Sequence, residues 1–106
     1  MPWILQFHPA ALEEMQAQPG DIRARLERIE ALVQAYGLMR IPSKHARHLT
    51  GELWEFRLKA KDGIARAIYV TRAGQRIIVV RVFTKKTQKT PTGEIELALR
   101  RAREVV

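Results

Sequence analysis

Residues 53–83 read LWEFRLKAKDGIARAIYVTRAGQRIIVVRVF, and the period inside that stretch decides the fold. In LWEFRLK (53–59), Trp54, Phe56 and Leu58 fall on one parity and Glu55, Arg57 and Lys59 on the other, as a strand with one apolar and one polar face requires. Asp62-Gly63 then supplies a turn, IARAIYV (64–70) a second strand, Ala73-Gly74 another turn and IIVVRVF (77–83) a third strand. Three consecutive strands joined by tight turns make an antiparallel meander. The third run is so uniformly apolar that it belongs inside the sheet rather than at its edge.

Toward the N-terminus the pattern changes. Trp3 to Phe7 is a short apolar run ended by His8-Pro9, which reads as a first strand with His8 at its end or capping the next element. Pro9 suits the first turn of a helix carrying Leu12 and Met15, and Pro19-Gly20 interrupts it. Ile22, Leu26, Ile29, Val33 and Tyr36 then recur at alternating four- and three-residue spacings before Gly37 stops a second helix. That stripe is too short for a coiled-coil seam and is expected to pack on the sheet. Residues 40–48 read as a loop. At the other end, Thr90 as cap and Pro91 at the first helical position open a last helix, with Ile95, Ala98, Leu99, Ala102 and Val106 on one face. Glu94 and Glu96 lie near its start and Arg100, Arg101 and Arg103 near its end, as the helix dipole prefers. The expected fold is α+β: an N-terminal helical hairpin packed on a small antiparallel sheet, made of the three-strand meander plus the N-terminal strand, with a C-terminal helix. Trp3 and Trp54 are assigned to the core.

A chain of 106 residues with 46% apolar composition is the size of one ordinary domain, here residues 1–106. No window approaches the roughly 18 apolar residues of a membrane span, and MPWILQFHP has no cationic region before its apolar run, so a cytoplasmic protein without membrane attachment is expected. The absence of cysteine excludes disulfides, thiolate zinc sites and cysteine nucleophiles. His45 and His48, three apart in KHARHL, are a weak metal signal without a third ligand. They read as loop histidines, either of which can transfer protons. With no glycine-rich phosphate loop and no GxSxG elbow, neither a metal nor a cofactor is expected.

Charge is the informative composition. The formal net charge is +8, and it is unevenly placed: residues 1–39 hold three Arg/Lys against five Asp/Glu, residues 40–106 sixteen against six. One part of the chain is built to meet a polyanion, and nucleic-acid binding through Lys and Arg weakens steeply with salt. The densest patch is KKTQKT (85–90), which follows the third strand and cannot build a core. If the strands pair in order, Glu55, Arg57 and Lys59 face the same side as this strip, with Arg66 in reach. Cleaving RNA through its own 2′-hydroxyl needs a base, cations on the phosphate and an acid for the departing 5′-oxygen. Arg57, Arg66, Lys85 and Lys86 suit the phosphate and Glu55 is the nearest candidate base. The plainer alternative is a surface ion pair between Glu55 and Arg57, worth about 0 to 1 kcal/mol.

The succession LWEFR, RAIY and FTKKTQKTPTGEIELALRR resembles the HigB-type, phage-derived branch of the RelE/ParE toxin superfamily over essentially the whole chain. That resemblance implies the toxin of a type II toxin–antitoxin system, a metal-independent, ribosome-dependent mRNA endonuclease that inhibits translation. Its partners would be the ribosome, mRNA and a cognate helix-turn-helix antitoxin of the HigA kind. Carried over by position, the catalytic residues are Glu55, Arg57, Arg66 and Lys86, and the RNA-binding residues are Lys59, Arg81, Lys85, Thr87, Gln88 and Lys89. Relatives often have histidine where Arg81 stands, and arginine acts only as a charge near neutral pH. Two alternatives stay open: a ParE-like gyrase poison, since one fold carries both activities, and a non-catalytic RNA- or partner-binding module.

Overall fold

The structure, a computed structural model, describes residues 2–106 other than Asp62 and residues 86–88, with Lys85 described through its backbone alone. Strand β1 (Ile4–Phe7) leads into helices α1 (Pro9–Gln16) and α2 (Gly20–Tyr36). After a 3-10 turn at Leu38–Arg40 come β2 (Ala46–Thr50), β3 (Leu53–Ala60), β4 (Gly63–Arg72), β5 (Arg76–Lys85) and α3 (Thr92–Ala102). The five strands form one sheet in the order β1-β5-β4-β3-β2. All neighbours are antiparallel except β1 and β5, which run parallel. As its uniform hydrophobicity requires, β5 lies inside the sheet.

Both faces of the sheet are covered. On one, Ala11 and Met15 of α1 and Ile22, Leu26, Ile29 and Val33 of α2 close over Phe56, Leu58, Ala65, Ala67, Tyr69, Ile77 and Val79. On the other, Ala98 and Ala102 of α3 pack on Leu53, Ile68, Val70, Ile78, Val80 and Phe83. Small residues let α3 approach the strands closely. Its start differs from expectation, because Pro91 occupies the cap position and the buried Thr90 turns into the protein instead. Val106 lies past the helix end and is exposed, so Val105 packs in its place. Leu12 and Tyr36, expected on the buried stripe, are exposed as well. The helix ends its cover of the sheet before Tyr36, and Ala11, four residues before Met15, takes the inward place in α1.

Besides the parallel pairing of β1, where an antiparallel sheet was expected, two features of the sheet were not expected from the chain's pattern. Residues 46–50, the first three of them read as loop, form the edge strand β2, whose register slips between His48 and Thr50. Short, charged and irregular strands are how proteins blunt a sheet edge, and those same traits hide a strand in the sequence. Trp54, placed in the core by parity, lies beside this edge and is partly exposed, its ring edge-on to His48 at 5.1 Å. The second feature is a bulge in β5, between the pairs Ile68–Arg81 and Tyr69–Val79. The extra residue switches parity, so Ile77, Val79 and then Val82 face the helical hairpin while Ile78, Val80 and then Phe83 face α3.

His8 caps α1, its Nδ1 accepting from the Ala10 amide at 3.1 Å. In the β4–β5 turn, Gly74 holds φ 84°, a left-handed conformation that glycine adopts without a Cβ penalty.

Candidate nucleic-acid interface

Register brings the functional side chains into rows on the face turned toward α3. Arg47 pairs with Glu55, Glu55 with Ile68 and Arg57 with Arg66, Ile68 with Arg81 and Arg66 with Phe83. Residues directly opposed across strands share a face. One row is therefore Arg47, Glu55, Ile68 and Arg81. The next is Arg57, Arg66 and Phe83, prolonged at the sheet edge by His45, whose carbonyl accepts from the Arg57 amide at 2.8 Å.

Glu55 is fully buried and serves as the counter-ion of the cluster. Its Oε2 accepts from Arg66 Nη1 at 2.5 Å and from Arg47 Nε at 3.0 Å, and its Oε1 accepts from the Thr90 hydroxyl at 2.9 Å. A buried carboxylate must be paired and hydrogen-bonded to stay ionised, and here β2, β3, β4 and the lead-in to α3 all contribute. The expectation that Glu55 takes a proton from substrate fits poorly with a group closed to solvent and committed to three donors. It orients arginines instead. Arg66, which shares its strand face with Ile64 and Ile68, is 1% exposed and pairs with this carboxylate.

Two guanidinium groups thus bond one carboxylate and a third lies beside them on the same face, which leaves the cluster with a positive excess. Arg57 carries it most openly: it stands opposite Arg66, like charge against like charge, and its buried Nε has no hydrogen-bond partner among the described residues. Beside it opens a cleft of about 380 Å³ lined by Arg25, Lys44, His45, Arg57, Lys59 and Ile64. Four permanent cations line it, and the described lining holds no carboxylate. Arg25 reaches in from α2, its Nε donating to the Lys59 carbonyl at 3.0 Å. Burial, reinforced by the charges of Lys44 and Arg25, holds the His45 imidazole below its ordinary pKa, which keeps it neutral near pH 7.

Arg81 lies elsewhere. The bulge turns it toward the first turn of α3, where Nε and Nη2 grip both oxygens of Glu94 at 2.8 and 3.1 Å while Nη1 donates to Glu14 of α1. Glu14 also accepts from Arg101 at 2.9 Å and from the Val82 amide at 3.1 Å. Burial alone would raise the Glu14 carboxyl, but the bonds from Arg101 and Val82 and the charge of Arg81 outweigh it and set the group below its ordinary value. Arg81 is a tie between α1, β5 and α3 rather than a hand held out to RNA.

Of the residues singled out from the sequence, Glu55, Arg57 and Arg66 come together, and Lys59 lines the adjoining cleft. Lys85 pairs with Ile64, which puts it in the row of Lys59, and Lys89 is exposed. Lys86, Thr87 and Gln88 lie outside the described residues. Arg25, Lys44, Arg47 and Thr90 were not anticipated at the site, and His45 was noted only as a loop histidine. The cationic run in KHARH was the available signal. Among the described residues, no three His, Asp or Glu gather closely enough to hold a metal ion.

The same fold occurs in solved toxins. A mutant form of the E. coli toxin RelE in the free state matches with a TM-score of 0.62 at 19% identity over 100% of both chains. The archaeal RelE-RelB complex from Pyrococcus horikoshii OT3 contains a chain that matches with a TM-score of 0.57 at 18% identity, covering 79% of this chain and 96% of that one. None of the curated proteins matches the sequence. Residues 13–103 match the family described as Phage derived protein Gp49-like (DUF891), and the chain belongs to that family.

Proposed function

We propose that this protein is the toxin of a type II toxin–antitoxin pair, of the HigB kind within the RelE/ParE superfamily, and that it acts as a ribosome-dependent mRNA endonuclease. The observation that carries this reading is Arg57, lining a cationic cleft and set opposite Arg66, which a buried carboxylate holds. Stacking like charges costs stability, and a phosphodiester bound there offsets the cost. As the 2′-oxygen attacks phosphorus, negative charge builds on the phosphoryl oxygens, and fixed guanidinium groups stabilise that state more than the substrate. Arg57 takes this role at the cleft, and Arg66, buried beside it, adds its charge to the field from beneath. Lys59, Lys85, Lys86 and Lys89, with Thr87 and Gln88, follow the RNA backbone, and Glu55 fixes the arginines. The ribosome supplies alignment of the message, which places the activity in the cytoplasm without a cofactor. The archaeal match is a chain solved with RelB, and by extension we assign this protein a co-encoded antitoxin, of the HigA helix-turn-helix kind.

Primer extension on a message translated in the presence of the purified protein tests the reading. Cut sites that require ribosomes, and that vanish with Lys86→Ala while the thermal midpoint holds, are the expected result. Equal cutting of ribosome-free RNA would reject the ribosome dependence. Supercoiling defects without mRNA fragments would identify a gyrase poison, and salt-sensitive RNA binding without any cleavage a non-catalytic module.

A further inference from the structure

The cleft beside Arg57 contains a group that the phosphate chemistry leaves unused. We propose that His45 accepts the 2′-hydroxyl proton in RNA cleavage, an assignment that rests on the endonuclease reading above. Its place follows from register. The bond from the Arg57 amide to the His45 carbonyl continues the β2–β3 ladder by one residue, so His45 heads the row that runs on through Arg57 and Arg66. A phosphate held by Arg57 therefore has His45 on its edge side, within the same cleft of about 380 Å³. The ring carries no hydrogen bond among those found for the described residues, whereas His8 is bonded to Ala10 and Glu104, and His48 to the Gly51 carbonyl at 2.8 Å.

Charge around His45 favours the acceptor form. Lys44 precedes it, Arg25 approaches from α2, Arg57 and Lys59 come from β3, and β4 contributes only the apolar Ile64. Four cations, with no carboxylate among the described residues of the lining, discourage a further positive charge, so the imidazole is neutral at physiological pH and has a free nitrogen for a proton. A bound phosphodiester then reverses part of that field and stabilises the imidazolium as it forms. In the step itself the 2′-oxygen gives its proton to His45 and bonds to phosphorus, and the bond from phosphorus to the 5′-oxygen breaks. The 5′-oxygen takes a proton from solvent, leaving a 2′,3′-cyclic phosphate and a 5′-hydroxyl. His45 then returns its proton to water. Glu55, the carboxylate nearest these arginines, is excluded from this role by its burial and its three donors.

The test compares His45→Gln with His48→Gln in the ribosome-dependent cleavage assay, at saturating programmed ribosomes and across pH 5 to 8. For the wild type the rate constant should rise with pH on the acid side and level off. His45→Gln should lose about 10²- to 10⁴-fold in rate, the usual contribution of a positioned base, together with the acid limb of the profile, while its thermal midpoint and ribosome affinity stay put. His48→Gln should match the wild type. A His45→Gln protein that cuts at the wild-type rate with the wild-type pH profile overturns the assignment and leaves the endonuclease reading standing. Wild-type protein that cuts no message overturns both.

Discussion

Two charge clusters sit on the same face of the sheet, under or beside the same helix, and they are balanced differently. Around Arg81, two arginines meet two carboxylates: Glu14 and Glu94 take up Arg81, and Glu14 also takes Arg101. Around Arg66, two arginines, Arg66 and Arg47, share Glu55, and a third, Arg57, stands opposite Arg66 with no carboxylate bonded to it among the described residues. The first cluster is electrically complete, and its partners come from α1, β5 and α3, so its work is to fasten helices across a sheet. The second ends in Arg57, whose Nε is buried without a partner among the described residues. Incomplete neutralisation in a place that costs stability is what distinguishes a site from a strut. Burial alone does not, since the more buried arginine, Arg66, belongs to the incomplete cluster.

The comparison breaks most visibly at Glu55. Removing one partner of a buried ion pair leaves the other charge uncompensated and typically costs about 3–5 kcal/mol. Glu55→Ala should lose stability on that scale in urea denaturation, because Arg66 is 1% exposed and cannot reach water for relief. A loss below about 1 kcal/mol would show that Arg66 finds other compensation and that the cluster is not built on this carboxylate.

Arg57 should behave in the opposite sense. Arg57→Met removes a like charge facing Arg66 while keeping the length of the aliphatic stem, so stability should hold or rise by a few tenths of a kcal/mol. Cleavage of translated message should fall by about 10²- to 10³-fold, the usual cost of removing a donor aimed at developing oxyanion charge. A variant both stable and fully active would make Arg57 a bystander. The pairing of retained stability with lost activity is the signature that separates the incomplete cluster from the complete one.

How far these roles could be read in the chain differs residue by residue. Alternation in LWEFRLK assigns Phe56 and Leu58 to the helical hairpin, and the structure agrees, because parity within one strand is local information. The burial of Glu55 is not local. It depends on Thr90 and on two arginines from neighbouring strands, so a single strand's pattern could present Glu55 only as a polar, outward residue. Arg81 was named as a site residue only by position, through the resemblance. The bulge that redirects it has no signature in VVRVF, where either parity would place valines on both faces. His45 was hidden by β2, a strand whose short, charged sequence reads as loop for the same reason that it makes a safe edge. Cross-strand register, rather than composition or period, carries the information that assembles this site.

The complete cluster yields the smallest effect and a sign that can be checked. Glu14 has its carboxyl held below the ordinary value, 4.5, so the unfolded chain binds its proton more readily than the folded one. The stability it contributes is therefore present above about pH 4.5 and is lost as pH falls through the folded value. Because its side chain is about one-fifth exposed, solvent screening keeps that contribution modest. Thermal midpoints of the wild type and Glu14→Gln should differ at pH 7, with the variant lower, and should converge as the pH falls through the folded-state value, which lies below 4.5. Other carboxylates titrate in the same range, but they do so in both proteins and cancel in the difference. Parallel curves with no convergence would mean that what Glu14 contributes is shape and hydrogen bonding to Val82 and Arg101 rather than charge, and the balanced cluster would then owe nothing to its balance.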